Sequence, residues 1–366
     1  MNNTDPEGGF SMKRRTFLLG GAAATTATTL AAPAIASGRV QWDLASSFPA
    51  AAPGVGTNVT RYAELVKLMS DGRMELTVYG AGELVPPFEV EDAAQAGTVP
   101  VVHTPPYYAA GKEAALHWFT GVPFGMTSNE HFAWLKWGGG QELFDDVYAE
   151  RNLKPFYSGN SNTQSGGWFK ERLESVEDLD GLNMRIAGLG ADVMRKLGVN
   201  AVLMPPGEIF QALQSGAIDA AEWVGPMLDQ AFGLQRVTNL CYMPAYAEPG
   251  AAVAVIFNRD AFAELPDDLK AICEAAAQAA ALEMQAQFDY FNAQAARQLE
   301  EAGVEFLPWP DDITVAMRNA WEEVREELRA EHSNVARVLE SYEPYLEQAR
   351  NYSGLMTEPM LAGRRS

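Results

Sequence analysis

Histidine and cysteine are scarce in this chain, with four and two residues among 366. His103, His117, His131 and His332 never pair at metal-ligand spacing and no H-E-x-x-H occurs, which argues against a histidine-rich zinc centre. G-x-S-x-G and P-loop motifs are missing as well. The glycines at Gly188 and Gly190 fall short of a G-x-G-x-x-G nucleotide fingerprint. Positive charge is also in short supply: 27 Lys and Arg stand against 48 Asp and Glu, a net charge of −21. Such a balance repels nucleic acid and anionic lipid. Beyond the N-terminus no run of about 18 apolar residues occurs, so no transmembrane anchor is expected. Cys241 and Cys273 leave two readings open: a disulfide in an oxidising compartment, or two buried thiols.

The N-terminus is informative. Lys13-Arg14-Arg15-Thr16-Phe17-Leu18-Leu19 opens a mildly apolar run rich in Ala and Thr, and the run ends at Ala34-Ile35-Ala36, a small-x-small cleavage site. Residues 1–36 therefore read as a signal peptide, with Arg14-Arg15 giving it a twin-arginine character and export to the periplasm. Removing them takes away three basic and two acidic side chains and leaves a mature chain of net charge −22. An anionic ligand would then need a strong local positive field.

Along the mature chain, strand-like and helix-like runs alternate. Strands are expected at 40–45, 75–79, 99–104, 153–157, 183–186, 201–204, 220–224 and 251–258. Helices are expected at 57–70, 87–96, 127–150, 189–197, 208–214, 266–302 and 313–339, with fraying after about Tyr352. The rhythm predicts an α/β fold like that of periplasmic binding proteins: two lobes around a ligand cleft, followed by long C-terminal helices. Lobe I is expected at 37–160 with a return through 250–310, and lobe II at 161–249. Residues 311–352 form a C-terminal helix suited to dimerisation, and 353–366 a tail.

A few residues carry chemistry. Arg185 ends an apolar strand next to Gly188, so a buried head there must meet either a structural acid or a bound anion, which its planar fork matches. Glu222-Trp223 closes a strand at the end where open α/β sheets place ligands. Glu248 precedes the 251–258 strand. Two glutamates converging on one anion need a cation between them, and sodium or calcium suits an all-oxygen site. Gln164 lies in a polar loop, and Tyr107, Tyr108, Trp168 and Trp223 could wall a small pocket or simply fill core.

Trp42, Ser46-Ser47-Phe48-Pro49, the run Leu179 to Arg185, Glu208 to Gly216, and Ile218 to Glu222 together resemble the solute-binding proteins of tripartite ATP-independent periplasmic (TRAP) transporters. The resemblance spans nearly all of the mature chain. Gln164 to Trp168, Glu222-Trp223 and Glu248-Pro249-Gly250 are similar to the branch that binds 2-oxo acids such as pyruvate with a metal ion. The resemblance implies a non-catalytic receptor in which Arg185 clamps the carboxylate and Trp223 and Tyr108 shape the pocket. It implies that Gln164, Glu222, the Trp223 carbonyl and Glu248 hold a cation, sodium or alternatively calcium. It further implies membrane subunits as partners, closure of the lobes by hinge motion, and a homodimer that exchanges a C-terminal helix. Met227-Leu228-Asp229 and Asn183 depart from the family's usual pattern. A receptor for lactate or another hydroxy or sugar acid with calcium is the alternative within the family. An exported metal-dependent hydrolase or lyase is the alternative outside it, and it would need an open metal position beside a base.

Overall fold

Seven consecutive buried residues, Ala252–Asn258, form the strand around which the first sheet is built. The computed structural model describes residues 38–365, so the expected signal segment lies outside the described residues. In chain order β1 (Val40–Ser46), α1 (Val55–Met69), β2 (Met74–Tyr79), α2 (Val90–Gln95) and β3 (Val101–Thr104) come first. Two 3-10 turns, Pro106–Ala109 and Ala114–Phe119, lead to α3 (Ser128–Trp137), α4 (Gly140–Ala149) and β4 (Leu153–Asn160). Then follow β5 (Gly167–Phe169), β6 (Asn183–Arg185), α5 (Gly188–Lys196), β7 (Asn200–Val202), α6 (Ile209–Ser215), β8 (Ala220–Ala221), α7 (Pro226–Phe232) and β9 (Leu240–Met243). The strand just described is β10 (Ala252–Asn258), followed by α8 (Arg259–Ala263) and the long α9 (Asp267–Glu301). The chain continues with β11 (Glu305–Pro308), α10 (Asp311–Glu331), α11 (Ser333–Tyr352) and α12 (Glu358–Gly363).

The strands form two mixed sheets, in the orders β2-β1-β3-β10-β4 and β11-β9-β5-β8-β6-β7. The chain passes between them three times: through 161–166, through 244–251, and through the α8–α9 stretch. β10 runs antiparallel to both β3 and β4. β6, β7 and β8 run parallel, and β5 runs antiparallel to β8 and β9. The ends of β1, β3, β6 and β8 therefore face the junction of the two lobes, which is where α/β sheets present ligand-binding residues.

The 35-residue α9 ties the lobes together. Its backbone carbonyl at Ala280 accepts from Asn58 Nδ2 on α1 (3.1 Å), while Asn292 Oδ1 accepts from the Met227 N–H on α7 (2.9 Å). Its buried positions Leu269, Cys273, Ala276, Ala277, Ala280, Met284 and Phe288 fall at helical spacing, and the small alanines let the helix lie close.

Several expectations need correction. The helix expected over 127–150 is two helices, because Gly138-Gly139-Gly140 breaks it and Gly139 takes φ 81°. The helix expected over 313–339 also divides, at His332, whose extended backbone caps the next segment. Beyond Tyr352 the chain remains helical through a wide turn, Ser353–Thr357, into α12. Residues 305–308 leave lobe I, because β11 pairs with β9 in the second sheet. The two cysteines are free, buried thiols.

One buried network steadies the junction from lobe I. Asn58 donates through Nδ2 to Ser158 O (3.0 Å) and Ala280 O, so its Oδ1 accepts from His103 Nε2 at 3.1 Å. Ser46 Oγ accepts from the Phe48 N–H and faces His103 Nδ1 at 3.2 Å. The ring is thus neutral, and burial pushes its pKa down from 6.5 to about 3. A folded pKa below the unfolded one stabilises the protein fully above the unfolded value and ceases to do so as pH falls toward the folded one. His103→Gln is expected to shrink the stability difference between pH 7 and pH 5 by about 2 kcal/mol. Urea unfolding at both pH values checks this, and an unchanged difference contradicts the neutral ring.

Candidate functional site

Arg185 is the last residue of β6, and Glu222 follows the last residue of β8. The parallel register sets Arg185 beside Ala221, and the Glu222 N–H donates to the Arg185 carbonyl at 2.9 Å. Pairing of two short strands is thus enough to bring the two side chains together. Arg185 Nη1 donates to the Glu222 carbonyl (2.5 Å) and to Glu222 Oε2 (2.9 Å). Its guanidinium lies 5.2 Å from the centre of the Trp223 ring, a cation–π contact. Arg185 is 1 % exposed and its Nε has no partner.

Glu248 and Gln164 arrive on the two loops that cross between the lobes. These loops bond to each other: Gln164 N–H to Glu248 O (3.3 Å) and Ala245 N–H to Gln164 O (2.9 Å). Ser161 Oγ donates to Asn162 O, so it must accept from Gln164 Nε2 at 2.8 Å, which leaves Gln164 Oε1 as the free end of the amide. Four buried acceptors here have no hydrogen-bond partner: Gln164 Oε1, Glu222 Oε1 and both carboxylate oxygens of Glu248. Tyr107 approaches Glu248 without a hydrogen bond of normal geometry. A buried acceptor left unpaired costs about 1–3 kcal/mol, and a charged one more.

The electrostatics agree. Burial first, then the charge of Glu222, pushes the Glu248 carboxyl well up. Burial also raises Glu222, to about 7, against the pull of Arg185. Burial by itself would lower Arg185, but Glu222, Tyr108, Tyr107 and Glu248 hold it raised. Two carboxyls are therefore crowded around one guanidinium, and the site is short of positive charge.

Aromatic rings close the pocket. Tyr108 sits between Phe88 (4.8 Å, edge-on), Tyr107 (5.2 Å) and Phe48 (6.3 Å), and Phe48 reaches the Trp223 ring across the junction at 6.5 Å. The Tyr108 hydroxyl faces Arg185, which offsets part of the rise that burial imposes on it. Gly188 takes φ +62°, and a Cβ there would lie 3.2 Å from Glu248 Oε1, so lobe II approaches the cluster closely at this point.

Tyr107, Tyr108, Gln164, Arg185, Glu222, Trp223 and Glu248 lie at this junction, whereas Trp168, the other candidate wall, is buried in the core of the second sheet. Phe48, Phe88 and Asp229 were not singled out for the junction. Phe48 had a signal in Ser46-Ser47-Phe48-Pro49, directly after the first strand. Phe88 and Asp229 had none, because a loop aromatic and a short-helix acid look ordinary in sequence.

Among the described residues no three His, Cys, Asp or Glu side chains cluster as a metal site. A cation here would rest on two carboxylates, one amide oxygen and main-chain carbonyls. That donor set fits a hard cation with oxygen preference and does not fit zinc. The unpartnered oxygens are the groups such an ion would satisfy.

Residues 45–332 match the DctP family of bacterial extracellular solute-binding proteins, family 7. The chain belongs to this family. It is a solute receptor of TRAP type rather than an enzyme. The receptor is 39% identical, over 92% of its length and 94% of its relative's, to the monocarboxylate 2-oxoacid-binding periplasmic protein of Nostoc. A TRAP solute-binding protein of Pseudoalteromonas atlantica, solved with bound sodium and pyruvate, is 33% identical to the receptor. It superposes with a TM-score of 0.86 over 88% of this chain and 99% of its own. A TRAP solute-binding protein of Bordetella bronchiseptica, solved as a mixed-occupancy dimer with copurified calcium and picolinate, is 31% identical. Its TM-score is 0.88, over 89% of this chain and 97% of its own.

Proposed function

We propose that this receptor captures a small 2-oxo acid, pyruvate foremost, together with a sodium or calcium ion, and delivers it to the membrane subunits of a TRAP transporter. The observation that carries the reading is the set of unpartnered buried groups at the lobe junction: four acceptor oxygens, and a guanidinium whose Nε is free. Arg185 already spends Nη1 on Glu222, and Nε belongs to the other edge of the fork, the edge that can take a carboxylate. Gln164 Oε1, Glu222, the Trp223 carbonyl and Glu248 are the donors for the cation. A bound cation supplies the positive charge that lets two glutamates and an anionic ligand share one dry site. With both glutamates ionised, Arg185 and a monocarboxylate leave two negative charges uncompensated; calcium cancels both and sodium one. Trp223 and Tyr108 wall the remainder of the pocket and favour a ligand with a short apolar end.

Lobe I, residues 37–160 with the return strand at β10, and lobe II, residues 161–249, would close on the ligand by flexing the 161–166 and 244–251 crossings. Export through the 1–36 segment puts the receptor in the periplasm. Thermal-shift measurements with a panel of 2-oxo and 2-hydroxy acids, each in sodium or calcium chloride, test the assignment. Pyruvate is expected to raise the melting temperature, and only with a cation present. Stabilisation by lactate or sugar acids alone would replace the 2-oxo acid as ligand.

We also propose that the receptor forms a homodimer. Tyr352, Leu355, Met356 and Met360 are all more than half exposed on the C-terminal helices, and α9 exposes Leu282, Tyr290 and Phe291. Solvent-facing apolar side chains at this density call for a partner, and a second copy supplies both surfaces at once. Light scattering is expected to give the mass of two mature subunits; the mass of one overturns the dimer.

A further inference from the structure

Asp229 stands behind the site and hydrogen-bonds to none of the proposed ligand side chains, yet it is completely buried. It lies on α7, four residues past Gly225. Its Oδ1 accepts from the Val224 N–H at 3.1 Å and its Oδ2 from the Trp168 indole N–H at 2.9 Å. The Ser165 N–H in turn donates to the Val224 carbonyl at 2.8 Å. One carboxylate thus joins the segment that follows Gln164 to the segment that follows Glu222.

The Val224 N–H and the Trp223 carbonyl belong to the same peptide unit. A trans peptide is planar, with its N–H and C=O pointing in opposite directions. Fixing the N–H on Asp229 therefore fixes the carbonyl in the opposite sense, away from α7. A hydrogen bond from an amide N–H to a carboxylate also polarises the amide, which makes its carbonyl oxygen a stronger donor toward a cation. Groups in this position, one step removed from an ion, orient its ligands and tune their basicity.

We infer that Asp229 is a positioning residue for the cation: it aims and polarises the Trp223 carbonyl through the Val224 N–H. The inference rests on the proposed 2-oxo acid and cation site. It separates two effects that a general loss of structure would merge. Asp229 acts on cation affinity, whereas Arg185 acts on the organic anion.

Calorimetric titration of calcium chloride, and then of pyruvate at saturating calcium, tests this on the mature protein and on two variants. Asp229→Asn is expected to weaken calcium about 10- to 100-fold. Pyruvate affinity at saturating calcium should stay within about threefold of wild type, because the Arg185 contact is untouched. Trp168→Phe breaks the other hydrogen bond to the same carboxylate and leaves the Val224 contact in place. It should lower the melting temperature while holding calcium affinity within about threefold. If Asp229→Asn does not fold, Asp229→Ser, whose hydroxyl adds no charge, serves instead with the same expected direction. Unchanged calcium affinity in the Asp229 variant overturns the inference, as does an equal loss in Trp168→Phe, which would make Asp229 a packing residue only. Wild-type protein that takes up neither calcium nor pyruvate overturns the site reading itself, and this inference with it.

Discussion

Arg185→Ala is expected to abolish measurable pyruvate binding while leaving the protein folded. The ligand carboxylate enters a site whose walls are almost entirely removed from water: Arg185 and Glu222 are 1 % exposed and Glu248 2 %. Removing one partner of a buried, hydrogen-bonded charge pair costs about 3–5 kcal/mol, or a factor of roughly 150 to 5,000 in affinity. The loss is expected at the high end, because Arg185 also compensates Glu222, and without it three negative groups face one another. Arg185→Lys is expected to bind about 10- to 100-fold more weakly than wild type. An ammonium keeps the charge, but it cannot hold Glu222 with one edge and a carboxylate with the other. Calorimetry with pyruvate at saturating cation gives both numbers, and melting temperatures without ligand show that the variants fold. Wild-type affinity in Arg185→Ala would remove Arg185 from the site.

Glu248→Gln is expected to do two opposite things. It should weaken cation binding about 100-fold, since it replaces a carboxylate with a neutral amide having a single acceptor. It should also stabilise the ligand-free protein by about 1–3 kcal/mol. Both carboxylate oxygens of Glu248 are buried without partners, close to Glu222, and burial with that neighbouring charge disfavours the ionised form. A neutral side chain of the same shape removes that cost. Stability traded for binding in this way is the mark of a functional rather than a structural buried charge. Urea midpoints without ligand and calcium titrations with the ligand measure the two effects. A variant that is less stable and still binds calcium normally would make Glu248 part of the scaffold.

The sequence reveals most about this site where the geometry is local. Arg185 could be singled out because a strand-borne arginine beside glycine has few alternatives to an anion, and Glu222 because it closes a strand on the ligand-bearing side. Gln164 and Glu248 are different. They meet only because two crossing loops, about 80 residues apart in sequence, hydrogen-bond to one another. No spacing rule reports such a contact, and only the family resemblance brought the two residues together. Asp229 was passed over for a related reason, since its partners are Trp168 on β5 and Val224 in the loop between β8 and α7, far apart in sequence from one another. The helices were read too long where glycine or an extended residue interrupts an otherwise continuous apolar period, at Gly138-Gly139-Gly140 and at His332. The C-terminal segment was read too short, because its apolar residues have no core to face within one chain and so resemble a fraying tail.

The central claim is that one dry site takes the organic anion and the cation together. Pyruvate affinity measured against cation concentration, from chelator-treated protein to millimolar calcium or sodium, tests it directly. Joint occupancy predicts that pyruvate affinity climbs with the cation and that calcium affinity climbs by the same factor with pyruvate. Pyruvate that binds equally well at every cation concentration would contradict the account.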